Sequence, residues 1–484
     1  MDGRWKTAWI PASFALTGVA AIGLWLSRSG AYIVVTPRLP GEDRLGMAAT
    51  TAPASVDLMG TFSKGPGEAS KVQGQWTGFR GGDYDNIGKE NPPLATSLKD
   101  LGGRRLWEVS LGEGYAGPAV RDGRVYVLDY DARERADVVR CLSLDDGREI
   151  WRRAYSVDVK RNHGMSRTVP AVSDKYVVTL GPKCHLLCLD RTTGDYRWGI
   201  DMARRYETKV PPWYAGQCPL IDEDRAIIAP GGKVLMAAMD CASGKVIWET
   251  PNPRGWEMTH SSIMPMEFGG VKMFVYCGSG GVAGVDAATG KLLWESSAWR
   301  VKIATVPSPV PLGDGRILLT GGYDAGSSMI RLEPAGELFK VQTLWTQKAA
   351  VFGAEQQTPV FYKGAIYGVI PGGQLVCLDP ATGTPRWNSG QTRFGIGPYL
   401  IANEVIYLTS DTGTLSLVKA DDREFQLLDS GKAIETGHEC WGPMALAGGR
   451  LLVRDLTRMV CLDVTIQALP PQAETRKPAQ VAAP

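Results

Sequence analysis

The sequence predicts an all-β fold, an eight-bladed β-propeller whose blades are four-stranded antiparallel sheets. Three observations predict it. A turn motif with a downstream tryptophan recurs along the chain, a proline that opens an apolar stretch recurs in phase with it, and successive prolines lie 39–52 residues apart. Repeats of this length with four short strands each are typical of propellers. The 58 Gly and 31 Pro agree, because they indicate many turns.

The turn motif reads Asp-x-x-Thr-Gly-x-x-x-Trp, with Ser replacing Thr in one copy. Asp and Thr side chains bond nearby backbone groups and Gly accepts a positive φ, so the motif predicts a tight turn between the third and fourth strands. We expect the tryptophans to pack between neighbouring blades as structural residues. They are Trp107, Trp151, Trp198, Trp248, Trp294, Trp345 and Trp387.

The recurring proline marks the start of each innermost strand. It occurs at Pro118, Pro170, Pro219, Pro265, Pro309, Pro359, Pro398 and Pro443. The eighth unit stops at Asp463 without a fourth strand, and a spare strand at 104–109 precedes the first proline. We therefore predict that 104–109 completes the eighth blade and closes the ring, which removes the open edge of the array.

The N-terminal residues predict a membrane anchor. Residues 7–27 carry no charge, follow Arg4 and Lys6, and are long enough to cross a bilayer as a helix. We expect a single transmembrane helix within 1–35 that leaves the propeller on the extracytoplasmic, periplasmic side of the cell membrane. A cleaved signal peptide is the alternative.

Composition sets the remaining boundaries. Residues 36–74 are rich in Thr, Pro, Ala, Gly and Ser and predict a flexible linker, and 466–484 predict a disordered tail. The propeller is expected between them, at 75–465. A net charge of +2 gives no basic face for nucleic acid.

The nine cysteines indicate neither a disulfide framework nor a metal site. Their number is odd and no Cys-x-x-Cys occurs, so zinc and c-type haem lack their usual signature. Four of them precede Leu at one repeat position, which favours small apolar core residues. We predict no metal ligands.

The repeat, together with the stretch from Trp76 to Gly82, resembles the PQQ-like (quinoprotein-type) β-propellers over about residues 75–465. Many exported members have Pro where this chain has Gly82. The resemblance implies the fold and leaves two functions open. One branch contains quinoprotein alcohol dehydrogenases, which oxidise alcohols or sugars with PQQ and calcium. The other is non-catalytic and includes the BamB-like propeller subunit of the outer-membrane assembly machine.

The residues favour the non-catalytic branch. In the dehydrogenases a bonded pair of adjacent cysteines covers the cofactor, and this sequence contains no Cys-Cys pair. We expect no cofactor, with PQQ and calcium as the alternative. A hydrolase or lyase is a third class, but its candidate acids show no spacing that marks a pair, and we predict no catalytic residue. Those candidates are Glu207, Glu257, Glu355 and Glu439.

The loops before the prolines are expected to converge on one mouth of the central channel, and loops on a rigid frame commonly carry function. Three of the four histidines fall there, whereas we expect His185 to be structural. The predicted ligand-binding or partner-binding rim consists of Arg161, His163, Trp213, Trp256, His260, Arg300, Gln357, Arg393, His438 and Trp441. The alternative is that these are ordinary solvent-exposed loop residues.

These residue types suit an anionic or aromatic ligand better than a metal, because no carboxylate accompanies the histidines at a fixed spacing. The sequence therefore predicts a membrane-tethered, extracytoplasmic propeller that acts as a scaffold. Its expected partners are envelope proteins or a small ligand at the mouth. A PQQ-dependent dehydrogenase is the alternative.

Overall fold

A computed structural model describes residues 17–20, 22, 24 and 55–466. The predicted anchor over 1–35 lies outside the described residues, except for helical positions 17–20, 22 and 24. The predicted tail also lies outside them from residue 467 onward. Within the described ranges, no helix combines the length and apolar character that a membrane crossing requires.

Residues 55–466 form eight sheets, each built on four antiparallel strands, which confirms the predicted eight-bladed propeller of four-stranded blades. The strands of blade 1 are Ala119–Arg121, Arg124–Asp131, Ala136–Ser143 and Glu149–Ser156. Those of blade 2 are Ala171–Val172, Tyr176–Leu180, His185–Asp190 and Tyr196–Asp201. Blade 3 contains Leu220–Asp222, Arg225–Ile228, Val234–Asp240 and Val246–Pro251. Blade 4 contains Met264–Phe268, Val271–Gly278, Gly281–Asp286 and Leu292–Ser296.

The second half of the ring repeats the arrangement. Blade 5 contains Val310–Pro311, Arg316–Gly321, Gly326–Ala335 and Leu338–Gln347. Blade 6 contains Val360–Tyr362, Ala365–Val369, Leu375–Leu378 and Pro385–Asn388. Blade 7 contains Tyr399–Ala402, Val405–Thr409, Thr414–Lys419 and Leu427–Lys432. Blade 8 contains Ala445–Ala447, Arg450–Arg454 and Arg458–Asp463, and its fourth strand is Arg105–Ser110. Thr61–Lys64 and Ile87–Gly88 add a fifth strand to the sheets of blades 1 and 7. Outside the sheets lie the 3₁₀ helix Leu101–Arg104 and the α-helix Met202–Tyr206.

The core lies between blades. The second strand of blade 1, Arg124–Asp131, is buried at every position from Val125 to Tyr130 because neighbouring blades cover both of its faces. The outermost strand of blade 2, Tyr196–Asp201, instead buries only Trp198 and Ile200. We call the seven predicted blade-packing tryptophans the docking tryptophans. They lie on the outermost strands, which bury only one face, whereas the inner strands bury both.

Five of the seven docking tryptophans contact the glycine of the turn motif in the next blade. The indole Nε1 of Trp198 in blade 2 donates to the carbonyl of Cys241 in blade 3, 2.8 Å away. Gly244 of the same turn has a φ of +69°, and a Cβ there would stand 2.7 Å from the Trp198 ring, so the position requires glycine for two reasons. The same contact joins Trp107 to Gly147, Trp151 to Gly194, Trp248 to Gly290 and Trp345 to Gly383.

Two of the seven tryptophans depart from this pattern. Trp294 of blade 4 directs its Nε1 at the sulfur of Met273 in its own blade, 3.3 Å away. Trp387 of blade 6 donates to the carbonyl of Asp421 at 2.8 Å, in a blade whose turn has no glycine at the docking position. Weaker turn motifs in blades 5 and 7 therefore go with altered docking.

The spare strand predicted at 104–109 is found at Arg105–Ser110. It pairs antiparallel with Arg458–Asp463, the third strand of blade 8, and Trp107 lies opposite Cys461. The first and last strands of the ring thus belong to one sheet. Unfolding of either end requires this sheet to separate.

The flexible linker predicted over 36–74 is wrong for its described part, residues 55–74. Thr61–Lys64 forms a fifth strand on blade 1 and pairs antiparallel with the outer strand. Arg153 of that strand donates to the carbonyl of Met59 at 2.7 Å, and its guanidinium lies 5.5 Å from the centroid of the Phe62 ring. Composition failed here because all four strand residues are exposed and backbone hydrogen bonds hold them, so no apolar pattern marks the strand.

Residues 76–88 cross the central channel. The phenol of Tyr84 donates to the carbonyl of Ile221 in blade 3 at 3.1 Å, whereas Ile87–Gly88 pairs in parallel with the first strand of blade 7. Blades 3 and 7 stand opposite each other in a ring of eight. The segment therefore spans the channel axis and closes it.

Candidate functional site

The channel forms a cavity of about 420 Å³ beside the crossing segment. Its rim comes from loops that precede the innermost strands, such as Trp213 and Trp441, whereas the crossing segment contacts residues inside those strands, such as Ile221 and Ile401. Along the channel axis the rim thus lies at the mouth and the crossing segment lies below it. The cavity is therefore blind, which means open at the mouth and closed at the other end. Its volume is in the range of small-ligand sites.

Arg80 holds the floor of the cavity. Its guanidinium donates to four backbone carbonyls: those of Tyr84 and Asp85 in its own segment, at 3.0 and 3.2 Å, and those of Thr358 and Pro359 in blade 6, both at 3.0 Å. Burial lowers the pKa of Arg80 to about 10, so it remains charged at neutral pH. Because its donors are engaged with the backbone, Arg80 seals the floor and contributes little to recognition of a ligand.

A belt of hydrogen bonds between blades forms part of the wall. The backbone N–H of Cys218 donates to the hydroxyl of Ser262 at 3.0 Å, that of Ser262 donates to Ser308 at 2.9 Å, and that of Ser308 donates to Thr358 at 2.9 Å. These residues come from the entrances of blades 3, 4, 5 and 6. The belt fixes the spacing of the innermost strands and therefore the width of the cavity.

Arg167, at the entrance of blade 2, is the second cation of the lining. Its Nε and Nη2 atoms are buried and make no hydrogen bond within the described residues, which also give it no ion pair. The guanidinium lies 5.0 Å from the centroid of the Tyr115 ring. Burial lowers its pKa to about 10, so Arg167 is cationic at neutral pH. A desolvated charge without a partner is costly, which makes Arg167 a candidate anion-binding group.

Gln357, at the entrance of blade 6, also lines the cavity. Both polar atoms of its amide, Oε1 and Nε2, are buried, and neither has a hydrogen-bond partner in the described part of the chain. Most buried polar side-chain atoms in native proteins are hydrogen-bonded. Blade 6 stands opposite blade 2, so Gln357 and Arg167 approach the cavity from opposite sides.

Aromatic rings form much of the upper wall. The rings of Tyr115 and Trp441 are tilted by 37° with centroids 5.3 Å apart, and Trp441 Nε1 donates to Asp411 at 2.7 Å. The Tyr115 hydroxyl donates to the Glu439 carboxylate. Tyr323 adds an exposed ring from the turn between the second and third strands of blade 5. The mouth therefore offers flat apolar surfaces above the polar groups.

His260 is neutral at physiological pH. Burial, with the nearby charge of Arg167, lowers its pKa to about 4. Its ring centroid lies 6.4 Å from that of Trp213. His260 therefore acts as a neutral polar ring and adds no positive charge to the cavity.

The structure brings five of the ten predicted rim residues together in the cavity: His163, Trp213, His260, Gln357 and Trp441. Arg161 lies outside it and donates to the Glu113 carboxylate at 2.6 Å. Trp256 is buried between blades and packs over the backbone of Gly280.

The other three predicted residues are also outside the lining. Arg300 donates to the carbonyl of Gly280 at 2.9 Å, and Arg393 donates to that of Gly372 at 2.7 Å. His438 is exposed, and its carbonyl accepts a hydrogen bond from the N–H of Leu456. Both arginines thus tie their loop to the turn between the second and third strands of the blade that precedes the loop.

Sequence reasoning missed several lining residues, although a signal for them exists. Tyr115, Arg167, Gly216, Ser262 and Val306 each stand three positions before an innermost-strand proline, and all five line the cavity. The register of the repeat therefore marks the lining better than residue type does. Phe79 and Arg80 lie outside the repeats and carry no such signal.

The residues present do not fit a calcium-bound quinone. Within the described ranges, no group of three His, Cys, Asp or Glu is placed to hold a metal ion. Glu355 is the only carboxylate among the lining residues, whereas calcium takes six to eight oxygen ligands, several of them commonly carboxylates. All nine cysteines are buried and free.

A sequence profile of the family described as outer membrane protein assembly factor BamB matches residues 94–154, 135–305 and 341–433, more than half of the chain. The chain belongs to this family. No curated protein sequence matches this BamB-family chain significantly.

Solved structures share the architecture of this BamB-family propeller. BamB from Moraxella catarrhalis has a TM-score of 0.52 at 14% identity, over 74% of this chain and 99% of its own. A europium-containing methanol dehydrogenase has 0.58 at 13%, over 78% and 89%. The quinohemoprotein alcohol dehydrogenase from Comamonas testosteroni has 0.58 at 13%, over 83% and 82%. At such identities the likeness shows the fold alone.

Proposed function

We propose that this BamB-family propeller is a non-catalytic scaffold that binds an envelope protein at the mouth of the blind cavity. The observation that carries the proposal is the pair formed by Arg167 and Gln357, whose buried polar atoms lack protein partners in a cavity open to the mouth. Such groups suit recognition, because a bound partner would satisfy hydrogen bonds that the propeller leaves unmade.

The location of the scaffold is part of the proposal. We place it on the periplasmic side of the cell membrane, anchored by a helix within 1–35, because the uncharged run 7–27 follows basic residues. The family description, an outer membrane protein assembly factor, supports a partner in the envelope. A quinone-dependent dehydrogenase has less support, because the cavity lining offers a single carboxylate as a calcium ligand.

Site-directed photo-crosslinking tests the proposal. A photoreactive amino acid is placed at Tyr323, on the mouth, or at Leu338, at the turn between the third and fourth strands of the same blade. The two positions are matched, since they are 43% and 45% exposed. Because strands alternate in direction, these turns lie at opposite ends of the blade. We expect a discrete adduct in native membranes from position 323 and none from position 338.

A parallel measurement tests the alternative. The purified full chain is incubated with PQQ and calcium, and dye-linked oxidation of alcohols is followed. A quinone absorption band with alcohol oxidation, and no adduct at position 323, would overturn the scaffold proposal. An adduct at 323 without oxidation supports it.

A further inference from the structure

We infer that the cavity binds the C-terminal end of a polypeptide, with the terminal carboxylate on Arg167 and the last peptide group on Gln357. This inference deepens the proposed function and rests on it, because it states which part of a partner enters the mouth. It follows from the charge of the lining, from the unmade hydrogen bonds and from the closed floor.

The charge of the lining favours an anion. Arg167 and Arg80 are both cationic, and Glu355 is the one carboxylate that lines the cavity. Glu355 packs against the Gly322 turn at the mouth. Arg167 has Nε and Nη2 unmatched, and these two N–H groups point in parallel and fit the two oxygens of one carboxylate. A cationic N-terminal amine would meet repulsion from the same group.

The amide of Gln357 favours a peptide group over a simple acid. It leaves one acceptor, Oε1, and the donors on Nε2 without a protein partner. A peptide group offers one N–H donor and one C=O acceptor, which complement these atoms pairwise. A carboxylate is an acceptor only and would leave Oε1 unmatched.

The closed floor favours a chain end over a chain segment. The crossing segment 76–88 bonds blade 3 through Tyr84 and the opposite blade 7 through Ile87–Gly88, and Arg80 ties it to blade 6, so a polypeptide cannot pass through. A cavity of about 420 Å³ takes a few residues that enter from the mouth. The rings of Tyr115, Trp213 and Trp441 line their path and suit an apolar or aromatic last side chain.

The test uses matched peptides and the full chain. N-acetylated tetrapeptides Ala-Ala-Val-X, with X as Phe, Tyr, Leu or Val, are prepared as free acids and as C-terminal amides. Binding is measured by calorimetry and, to millimolar concentration, by saturation-transfer NMR. We expect at least one acid to bind about tenfold or more tightly than its amide, the loss expected when a hydrogen-bonded charge pair is removed.

Variants locate the contact. Arg167→Gln should lose binding of the acid, and Arg167→Lys should keep only part of it because the paired N–H groups are gone. Gln357→Glu, nearly equal in size, should also lose it by repulsion and serves if the arginine variant does not fold. Arg133→Gln is the control, because Arg133 is an exposed arginine on a mouth-side turn outside the cavity.

Four outcomes decide. Preference for the acid that is lost in Arg167→Gln and kept in Arg133→Gln supports the inference. Equal binding of acid and amide, or equal binding of the Phe-ending peptide and 3-phenylpropanoic acid, which has no peptide group, overturns it by removing the carboxylate or the peptide group from recognition. Absence of any binding overturns it as well. If the adduct at position 323 persists in that case, the proposed scaffold stands, and if the adduct is also absent, both fail.

Discussion

The indole Nε1 of Trp107 donates to the carbonyl of Leu144 at 2.9 Å. Trp107 belongs to the outermost strand of blade 8 and Leu144 to the turn region of blade 1, so this hydrogen bond joins the two ends of the ring. The same docking geometry that links Trp198 to Cys241 inside the ring therefore also closes it.

Replacement of the closing indole should destabilise the whole propeller. We expect Trp107→Ala to lower the free energy of unfolding by about 3–5 kcal/mol, the usual range for deletion of a buried aromatic side chain. Trp107→Phe should lose mainly the hydrogen bond, about 1 kcal/mol. Urea denaturation followed by circular dichroism measures both. Unchanged midpoints in both variants would show that the contact does not close the ring.

Glycine in the turn motif should matter for packing and not only for backbone conformation. Gly244→Ala places a Cβ 2.7 Å from the Trp198 ring, whereas Gly336→Ala, at nearly the same φ of +70°, meets nothing within 4 Å. In both variants the left-handed backbone conformation is strained for alanine, which lowers the free energy of unfolding by about 1–2 kcal/mol. We expect Gly244→Ala to be the less stable by thermal unfolding, and equal losses would contradict docking through this turn.

A buried carboxyl between blades 1 and 2 predicts a pH dependence. Burial raises the pKa of Asp137 to about 7, while the Tyr155 hydroxyl donates to it at 2.7 Å and stands 3.2 Å from His185 Nδ1. Because its folded pKa is above its unfolded value, Asp137 favours folding below pH 4, and that advantage is lost as the pH rises to 7. His185 and His260, whose pKa values are lowered, act in the opposite direction below pH 6.5.

The contribution of Asp137 is isolated by comparison with a variant. The stability difference between the protein and Asp137→Asn should change in favour of the variant from pH 4 to pH 7, and unfolding midpoints across that range measure it. A difference that is flat with pH would mean that this carboxyl is ionised in the folded protein throughout.

The fifth strand of blade 1 should protect the chain from proteolysis. Lys64 pairs with Trp151, and Arg153 bonds both Met59 and Gly194. We expect trypsin to cut after Lys64 slowly in the native protein and faster in Arg153→Ala. Mass spectrometry of the early fragments measures this. Rapid cleavage at Lys64 in the unchanged protein would show that the strand is not held.

The sequence predicts those parts of the fold that the repeat dictates. The full copies of the turn motif place a glycine four residues before a tryptophan, as in Gly194 and Trp198, and the missing fourth strand after Asp463 points to Arg105–Ser110. Thr61–Lys64 escaped prediction because backbone pairing to an exposed edge needs no side-chain pattern.

The candidate site was harder to predict, because the ring brings together residues far apart in sequence. The Tyr115 hydroxyl meets Glu439, 324 positions later, and Arg167 and Gln357 come from opposite blades. Exposed cations such as Arg300 and Arg393 stand in the same loops and resemble binding residues in sequence, yet their side chains bond local carbonyls. Arg167 stands three positions before its proline, whereas Arg393 stands five and Arg300 nine positions before theirs, so the register separates these three arginines.

The most direct test of a functional cavity is to fill it and measure partner capture at the mouth. Val306→Trp occupies the lining from blade 5, and crosslinking from position 323 is then compared with that of the unfilled protein, with thermal unfolding as a check of the fold. A functional cavity predicts that the adduct falls to background while the unfolding midpoint is kept. An unchanged adduct in the filled, folded protein would contradict it.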